Sequence, residues 1–414
     1  MIFFCNKYLI FILSFFSPMI INIGGEVSPS FLFIGATFPI WIKYLSFRKK
    51  TIFKYIVHLF VWLIIVQSIW AIFSDTNAIE QIKGILVIVS GLLHFMYYYM
   101  VYKYNPEVIK WAVLGTFLSS FVFVNVLVEI AGGEFGLWKF QIMPQLVTAC
   151  LLIYLWGNRN KIVLRYAPLL FIFIGSVGLA TGARSCGLVP FLAGGVTFLL
   201  QRKNSTPSKI KKYLLLGVGV LYIAYACIYV PNVLNGNITA GNTEQLKRLD
   251  NPYNPINLLM LGRVDSIIPF MAFLDEPLTG WGYHTKDPNY KYNRMQEKII
   301  TTNSDTIINS DYKYNAYIPG HSGWGYIACS YGILGFLIIF FILKKTLSIL
   351  FHSFVAQDRY LLLRINIAIG FLWNLLFSPM AHLKDSPTDL AIIIVFSIYA
   401  IAECKKRIQL HRGI

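Results

Sequence analysis

The stretch FKYIVHLFVWLIIVQSIWAIF at residues 53–73 decides the fold class of this chain. Its residues are almost continuously apolar and do not alternate with polar ones. About 20 helical residues cross a hydrocarbon layer of roughly 30 Å. A helix also satisfies its own backbone hydrogen bonds inside lipid, whereas an open sheet cannot. Residues 53–73 are therefore predicted to form a transmembrane helix.

Comparable apolar stretches recur along almost the whole sequence. Of its 414 residues, 56% are hydrophobic and only 13% are charged, which excludes a soluble multidomain protein. The pattern predicts an all-α polytopic membrane protein with about twelve transmembrane helices. These helices are expected near residues 8–23, 28–45, 53–73, 82–101, 108–131, 137–156, 166–181, 185–201, 213–231, 322–343, 361–378 and 388–402.

The positive charges predict how these helices are oriented. Of the 36 Lys and Arg residues, 24 lie in or beside alternate connections and near the chain ends. Outside one long loop, only Lys83, Lys139, Arg184 and Lys384 fall on the opposite side. Cytoplasmic loops of membrane proteins carry such an excess of Lys and Arg. We therefore expect a polytopic inner-membrane protein with both termini in the cytoplasm.

The net charge of +17 does not indicate a nucleic-acid partner. The long loop, residues 232–321, contains eight basic and nine acidic residues and is nearly neutral. The surplus positive charge is therefore a topology signal, and no binding to nucleic acid is expected.

The long loop divides the chain into three parts. Residues 1–231 hold the first nine predicted helices, residues 232–321 form a periplasmic loop, and residues 322–414 hold the last three helices with a basic cytoplasmic tail. Long ordered loops are usually functional. We expect this loop to carry the chemistry of the protein.

Two local structures are predicted inside the loop. Asn254 and Pro255 are typical of a helix start, and an apolar helix is expected from Ile256 to Ile268, ending at Pro269. This helix is expected to lie against the bilayer or to cap the helix bundle. Further on, the glycine-rich sequence at residues 278–283 predicts a tight turn.

Processing and metal binding are not indicated. The first apolar run resembles a signal peptide, but Pro18 and the lack of a small-residue cleavage site before Gly24 predict an uncleaved first helix. The six cysteines lie singly in or beside predicted helices and none lies in the loop, so no disulfide framework or zinc site is expected. Because no Asp-x-Asp motif or His/Cys cluster is present, no metal or other cofactor is expected.

Three ionisable residues are candidates for catalysis on the periplasmic side. Arg184 lies in a minimal turn where an unpaired guanidinium is costly, so it either binds an anionic partner or extends to lipid phosphate. Arg263 either binds phosphate oxygens or pairs with Asp265 or Asp250. His321, at a helix entrance, is either a general base or a structural histidine.

Further candidates could bind substrate. Aromatic rings stack on sugar faces, although they are equally typical of the membrane interface. His382 and Lys384 add ionisable groups on the same side. The candidate substrate-binding residues are Trp281, Tyr283, Tyr317, Trp324, His382 and Lys384.

The segments around the three catalytic candidates resemble the superfamily of bacterial O-antigen polymerases and O-antigen ligases, which are membrane glycosyltransferases. Arg184 lies in GARSCGL, Arg263 in LGRVDSIIPFMAFLDEPLTGWGY and His321 in PGHSGWGYIACSYGILGF. The similarity lies in the order of an Arg, an acidic residue followed by Pro-x-x-Gly-x-Gly, and a His before a helix reading Tyr-Gly-x-x-Gly. Ser322 stands where family members often have Asn. The Arg-x10-Gly spacing of some polymerases is present from Arg184 but not from Arg263.

The resemblance implies a GT-C-like architecture and glycosyl transfer from an undecaprenyl-diphosphate-linked oligosaccharide at the periplasmic face. Arg184 and Arg263 would stabilise the diphosphate leaving group without a metal. His321 would act as general base on the acceptor hydroxyl, or orient it, and the anomeric carbon would be inverted. Besides this substrate and membrane lipid, a polysaccharide chain-length regulator is a possible partner.

Several functions fit this pattern. The expected one is a polymerase that joins O-antigen or capsule repeat units, and the nearest alternative is a ligase that transfers the glycan to lipid A core. A flippase for the same lipid would need ionisable groups near the bilayer midplane, for which His58, His94 and Glu129 are candidates. A structural partner of chain-length regulators is a further alternative.

Overall fold

The chain is almost entirely helical in the described regions. A computed structural model describes residues 1–22, 26–45, 51–73, 78–123, 136–181, 183–201, 219, 222–223, 225–236, 246, 249, 251–254, 257, 264–283, 286–302, 317–319, 323–354, 356, 358–377 and 386–411. A two-stranded antiparallel ladder, β1 (Ile21–Asn22) with β2 (Glu26–Val27), pairs Ile21 with Val27.

The α-helices are numbered here in chain order. The first nine are α1 (Lys7–Phe15), α2 (Pro29–Ala36), α3 (Phe38–Trp41), α4 (Ile52–Phe73), α5 (Ala78–Tyr104), α6 (Ile109–Val122), α7 (Met143–Trp156), α8 (Lys161–Ala180) and α9 (Arg184–Leu200). They are followed by α10 (Val230–Leu234), α11 (Val264–Asp275), α12 (Lys291–Thr302), α13 (Gly323–Ser353), α14 (Leu361–Phe377) and α15 (Ser386–His411). Short 3-10 turns cover Ile42–Tyr44, Pro106–Val108 and Pro288–Tyr290, and π turns cover Trp138–Ile142 and Tyr225–Tyr229.

The predicted polytopic helical membrane architecture is confirmed, but a count of twelve spans is not. Among the described residues, six helices are long and apolar enough to cross a membrane, and three shorter apolar helices accompany them. The six long segments are Ile52–Ile72, Ala78–Tyr104, Trp138–Trp156, Lys161–Ala180, Gly323–Ser353 and Ser386–Lys406. Of the helix predicted at 213–231, residues 213–218, 220–221 and 224 lie outside the described residues, and the described part ends in the π turn Tyr225–Tyr229 and α10.

The first predicted helix is shorter than expected. It was predicted over residues 8–23, whereas α1 ends at Phe15 and the chain then enters the β1–β2 ladder. Pro18 has no N–H to continue a helix and disfavours helical geometry at Ser17. With nine residues, α1 is too short to cross hydrocarbon by itself.

The core of the bundle forms around α5, which packs against α4 and α15. Residues Phe95 to Tyr102 of α5 are all buried. Their aromatic rings contact other helices. Tyr99 stacks on Phe53 of α4 with ring centroids 4.2 Å apart, and Tyr102 meets Phe396 of α15. This continuous aromatic packing ties the N-terminal and C-terminal helices into one bundle.

Helices α7, α8 and α9 pack side by side, each antiparallel to the next. A methyl group on Gly178 of α8 would lie 2.6 Å from Met143 at the start of α7, and one on Gly187 of α9 would lie 2.6 Å from the backbone of Leu179. Small residues let membrane helices approach this closely. Because α8 is antiparallel to both neighbours, α9 begins at the end of the bundle where α7 begins.

The two ends of the bundle can be distinguished by their contacts. One end is called the basic end, because Lys110, Arg159 and Arg359 surround Glu107 there. At this end the Tyr154 hydroxyl donates to the Arg359 carbonyl at 2.7 Å and accepts from the Leu362 amide, so α7 ends where α14 begins. At the opposite end, called the loop end, Gly323 at the start of α13 lies against Leu375 near the end of α14. Helix α9 also begins at the loop end.

Candidate functional site at the loop end

Helix α13 is interrupted at Gly332, which has φ +62° and ψ −158°. This conformation is essentially restricted to glycine. The rings of Trp324 and Phe336, twelve residues apart, lie with centroids 6.0 Å apart. A straight helix would separate them by about 18 Å along its axis. The chain therefore bends sharply at Gly332, which the sequence interpretation of one continuous helix did not foresee.

The predicted tight turn at residues 278–283 is present, and it packs against α13 at this break. Three main-chain hydrogen bonds join it to α13: the amide of Trp281 donates to the Cys329 carbonyl at 2.7 Å, the amide of Gly282 donates to the Ser330 carbonyl, and the amide of Ile333 donates to the Pro277 carbonyl at 2.7 Å. Backbone groups that the helix break frees are thus satisfied by the loop. We call this contact, residues 277–282 with residues 329–333, the interlock.

Glycine is required on both sides of the interlock. Gly280 has φ +67°, and a methyl group on it would lie 2.5 Å from the backbone nitrogen of Gly332. A methyl group on Gly332 would collide with the carbonyl of Leu278. The two backbones approach too closely for any side chain between them.

Helix α11 packs against both segments of α13 through aromatic rings. Phe270 contacts Trp324 with centroids 5.5 Å apart, and Phe273 stacks on Phe336 at 6.2 Å. The expected helix end at Pro269 is wrong, because α11 continues through Pro269 to Asp275. A proline inside a helix costs about 3 kcal/mol, and the packing of α11 on α13 offsets this cost.

The end of α11 is held by Trp281 and by α12. The predicted sugar-binding residue Trp281 donates its indole N–H to the Ala272 carbonyl at 2.7 Å and packs edge-on against Tyr292 of α12. The Asp275 carboxylate accepts from the Tyr292 hydroxyl at 2.6 Å and from Lys291 at 2.8 Å. Hydrogen bonds from Lys291 and Tyr292 lower the pKa of Asp275.

Asp287 anchors the start of α12. Its buried carboxylate accepts from the amides of Tyr292 and Asn293 and from the side chain of Asn293. The Asn293 side chain also donates to the carbonyl of Tyr317 at 3.3 Å, and Tyr317 forms a β-bridge with Lys286. Tyr317, a predicted substrate-binding residue, is thereby tied to the loop through its backbone while its side chain stays partly exposed.

Tyr283 enters the membrane bundle. Its ring lies against Gly84 of α5, where a methyl group would be 2.6 Å from it, and lies edge-on to Tyr326 of α13 with centroids 6.1 Å apart. The amide of Gln67 borders the same glycine and donates to Gln81 at 2.8 Å, and both glutamines are buried. Tyr283 therefore connects the loop to α5 and α13.

The remaining predicted site residues are only partly described. Arg184 is the first residue of α9 at the loop end, and its side chain lies outside the described atoms. Arg263, His321, His382 and Lys384 lie outside the described residues. In the sequence, Arg263 directly precedes the described start of α11, and His321 stands two residues before α13.

An apolar cavity of about 50 Å³ lies inside the bundle. It is bounded by α4, α5, both segments of α13, α14 and α15, and Ile327 and Ile342 from the two sides of the bend both line it. The hydroxyl of Tyr331, another lining residue, is buried and has no hydrogen-bond partner among the described residues. No group of three or more His, Cys, Asp or Glu side chains that could hold a metal occurs in the described part of the chain.

The sequence interpretation missed an ion pair at the basic end. Asp358 and Arg364 lie 2.7 Å apart and are withdrawn from solvent, and Arg364 also donates to the carbonyls of Phe396, Ser353 and Ala356. In the sequence, Arg364 is one of the 24 Lys and Arg residues assigned to the cytoplasmic side, with no further role. Its position inside the apolar run LLLRINIAIGF was the available signal, because a charge within such a run needs a partner.

A second network surrounds Glu107 at the same end. Arg359 lies 2.9 Å from its carboxylate, Lys110 lies 3.4 Å away, and the Tyr360 hydroxyl donates to it. Partial burial acts to raise the pKa of Glu107, but the positive charges of Arg359 and Lys110 prevail and lower it. These contacts close the basic end and tie α5 and α6 to α14.

No protein-family model, curated protein or solved structure matches this chain. The function is therefore argued from the residues and their arrangement.

Proposed function

We propose that the protein is a glycosyltransferase that joins oligosaccharide repeat units carried on undecaprenyl diphosphate, as an O-antigen or capsule polymerase. The observation that carries the proposal is the gathering of helix starts at the loop end. Helix α9 begins there with Arg184, and α13 begins there two residues after His321. The described part of helix α11 begins at Val264, the residue after Arg263. Its Phe270 ring packs on Trp324 of α13.

The proposed reaction uses each residue type for one task. The acceptor hydroxyl loses its proton to His321 and its oxygen attacks the anomeric carbon of the donor. The bond from that carbon to the diphosphate oxygen breaks with its electron pair, and the configuration is inverted. Arg184 and Arg263 stabilise the negative charge that develops on the leaving diphosphate.

The interlock supports this proposal because catalysis needs fixed geometry. Groups held on rigid elements position a substrate more precisely than groups on unsupported loops. The loop containing Trp281 and Tyr283 is held by main-chain bonds to α13, and Tyr283 is packed between helices. The ring of Tyr317 is partly exposed, and we assign it to stacking on a sugar of the substrate.

Two other functions remain as alternatives. A ligase that transfers the glycan to lipid A core would use the same residues. A flippase would need ionisable groups facing a pathway through the bundle. His94 is instead held inside the helix packing, with Nδ1 2.8 Å from the Ser90 carbonyl and Nε2 3.4 Å from the Ser30 hydroxyl. The His58 side chain is exposed, and Glu129 lies outside the described residues.

The decisive experiment is incubation of the purified protein with synthetic undecaprenyl-diphosphate-linked repeat units, followed by gel analysis. A ladder of lengthened glycans is the expected result. Transfer that requires added lipid A core would establish the ligase. Movement of the lipid between leaflets of proteoliposomes without any elongation would establish the flippase and overturn the proposal.

A further inference from the structure

The interlock joins the two helices that follow Arg263 and His321 in the sequence. Helix α11 contacts α13 at Phe270 and Trp324, and the turn after α11 then enters the break at Gly332. Two separated attachments prevent one helix from sliding along the other. The position of α11 relative to α13 is therefore set by the interlock.

We infer that Gly280 and Gly332 are positioning residues of the loop-end site, because their close backbone contact fixes the placement of the helix that follows Arg263 against the helix that follows His321. This inference rests on the proposed glycosyl transfer. It assigns a positioning role to two glycines, which have no side chain that could take part in the reaction.

The magnitude of the expected effect follows from helix geometry. A slip by one residue moves a helix about 1.5 Å along its axis. A misplacement of about 1 Å between reacting groups can reduce a rate by about 10²-fold. Loss of the interlock should therefore lower kcat by about 10²-fold, even though neither glycine touches substrate.

The backbone at the interlock explains why alanine is sufficient to disrupt it. The conformation of Gly332 is unfavourable for any residue with a Cβ atom, and the added methyl would meet the Leu278 carbonyl. Gly280→Ala would press against the nitrogen of Gly332 from the other side. Both variants should open the same three hydrogen bonds, by independent routes.

The test combines hydrogen exchange with glycan transfer, using the full-length protein in lipid nanodiscs. In the unsubstituted protein, the amides of Trp281, Gly282 and Ile333 should exchange slowly. In Gly332→Ala and Gly280→Ala they should exchange at least about tenfold faster, and kcat with synthetic lipid-linked repeat units should fall by about 10²-fold. The thermal unfolding midpoint separates this result from a general loss of folding.

Two control variants isolate the interlock. Gly35→Ala in α2 adds a methyl group where no atom lies within 4 Å, so it should change neither exchange nor kcat. Gly370→Ala in α14 adds a methyl group whose nearest neighbour is Val189 at 3.8 Å, an ordinary van der Waals contact, so it too should leave exchange and kcat unchanged. If the alanine variants do not fold, one glycine inserted after the exposed Leu278 lengthens the turn without adding a Cβ atom, and it should give the same two changes.

The outcomes separate the inference from the proposed function. Faster exchange with unchanged kcat, or lower kcat with unchanged exchange, would overturn the positioning role. Unprotected amides in a protein that does transfer glycan would also overturn it. An unsubstituted protein that protects these amides but transfers no glycan would overturn the proposed function, and the positioning role with it.

Discussion

The guanidinium of Arg364 lies 2.7 Å from the carboxylate of Asp358, and the pair is shielded from solvent between α13, α14 and α15. Removing one member of a buried ion pair leaves an uncompensated charge and costs about 3–5 kcal/mol. Arg364 also satisfies three backbone carbonyls. The pair therefore holds the basic end of the bundle together, far from the proposed site.

We expect Arg364→Met to lower the free energy of unfolding by about 3–5 kcal/mol. Combining it with Asp358→Leu should recover part of this loss, because the second substitution removes the unpaired carboxylate. Arg359→Met is the matched control. Its ion pair with Glu107 is partly exposed, so it should cost about 1 kcal/mol or less. Unfolding in detergent, followed by tryptophan fluorescence, measures all three, and equal losses in both single variants would contradict the prediction.

Two buried tyrosines allow a second comparison of matched substitutions. The hydroxyl of Tyr154 donates to the Arg359 carbonyl and accepts from the Leu362 amide, whereas that of Tyr331 has no partner among the described residues. Tyr154→Phe should lower the free energy of unfolding by about 1 kcal/mol or more. Tyr331→Phe removes a buried hydroxyl that makes no hydrogen bond to any described residue, so stability should be unchanged or higher. A large loss of stability in Tyr331→Phe would show that its hydroxyl is bonded.

The sequence predicted some of the long helices closely, because the apolar runs and the charged connections between them are local signals. The limits of α4 and α14 agree with expectation within one residue. The loop turn was also foreseen, since Gly280 and Gly282 indicate it directly. These features depend on residues that are close in the sequence.

Features that depend on distant residues were not predictable in the same way. The run around Gly332 reads as one apolar helix, and its interruption is stabilised by a turn about fifty residues earlier. Pro269 indicated a helix end, but packing of Phe270 and Phe273 on α13 overrides it. The ion pair of Arg364 is different, because Asp358 lies only six residues earlier and the sequence could have suggested it. The bond from Arg364 to the Phe396 carbonyl, in contrast, depends on a distant helix.

The contact between Asp275 and α12 should depend on pH. Since the pKa of Asp275 is lowered in the folded protein, its contribution to stability is complete above the ordinary Asp pKa of about 3.9 and disappears as pH falls through the lowered value. Asp275→Asn should therefore lower the thermal midpoint at pH 7, and the difference from the unsubstituted protein should shrink in acid below the lowered pKa. Glu276→Gln, at the exposed neighbouring carboxylate, is the control. A difference that stays constant with pH would contradict the assignment.

The orientation predicted from the Lys and Arg distribution can be tested with single cysteines introduced into a variant that lacks the six native ones. Asn289 lies in the loop and Lys405 lies near the end of α15, and both side chains are exposed. In intact spheroplasts, a membrane-impermeant maleimide should label Asn289→Cys. It should label Lys405→Cys only after the membrane is permeabilised. The reverse pattern would place the loop end in the cytoplasm and remove the basis for a periplasmic site.

The proposed catalytic residues should differ in kinetic effect because they act on different parts of the reaction. Arg184→Ala and Arg263→Ala remove donors to the leaving diphosphate, so each should lower kcat by about 10²–10³-fold. His321→Ala removes the base and should lower kcat by about 10²–10⁴-fold. Arg294→Ala, at an exposed arginine of α12, is the matched control and should retain activity. All four proteins should reach the membrane in equal amounts, measured by immunoblot. Full activity in His321→Ala would leave the acceptor proton without its assigned base, whereas full activity in both arginine variants would mean that the diphosphate is stabilised elsewhere.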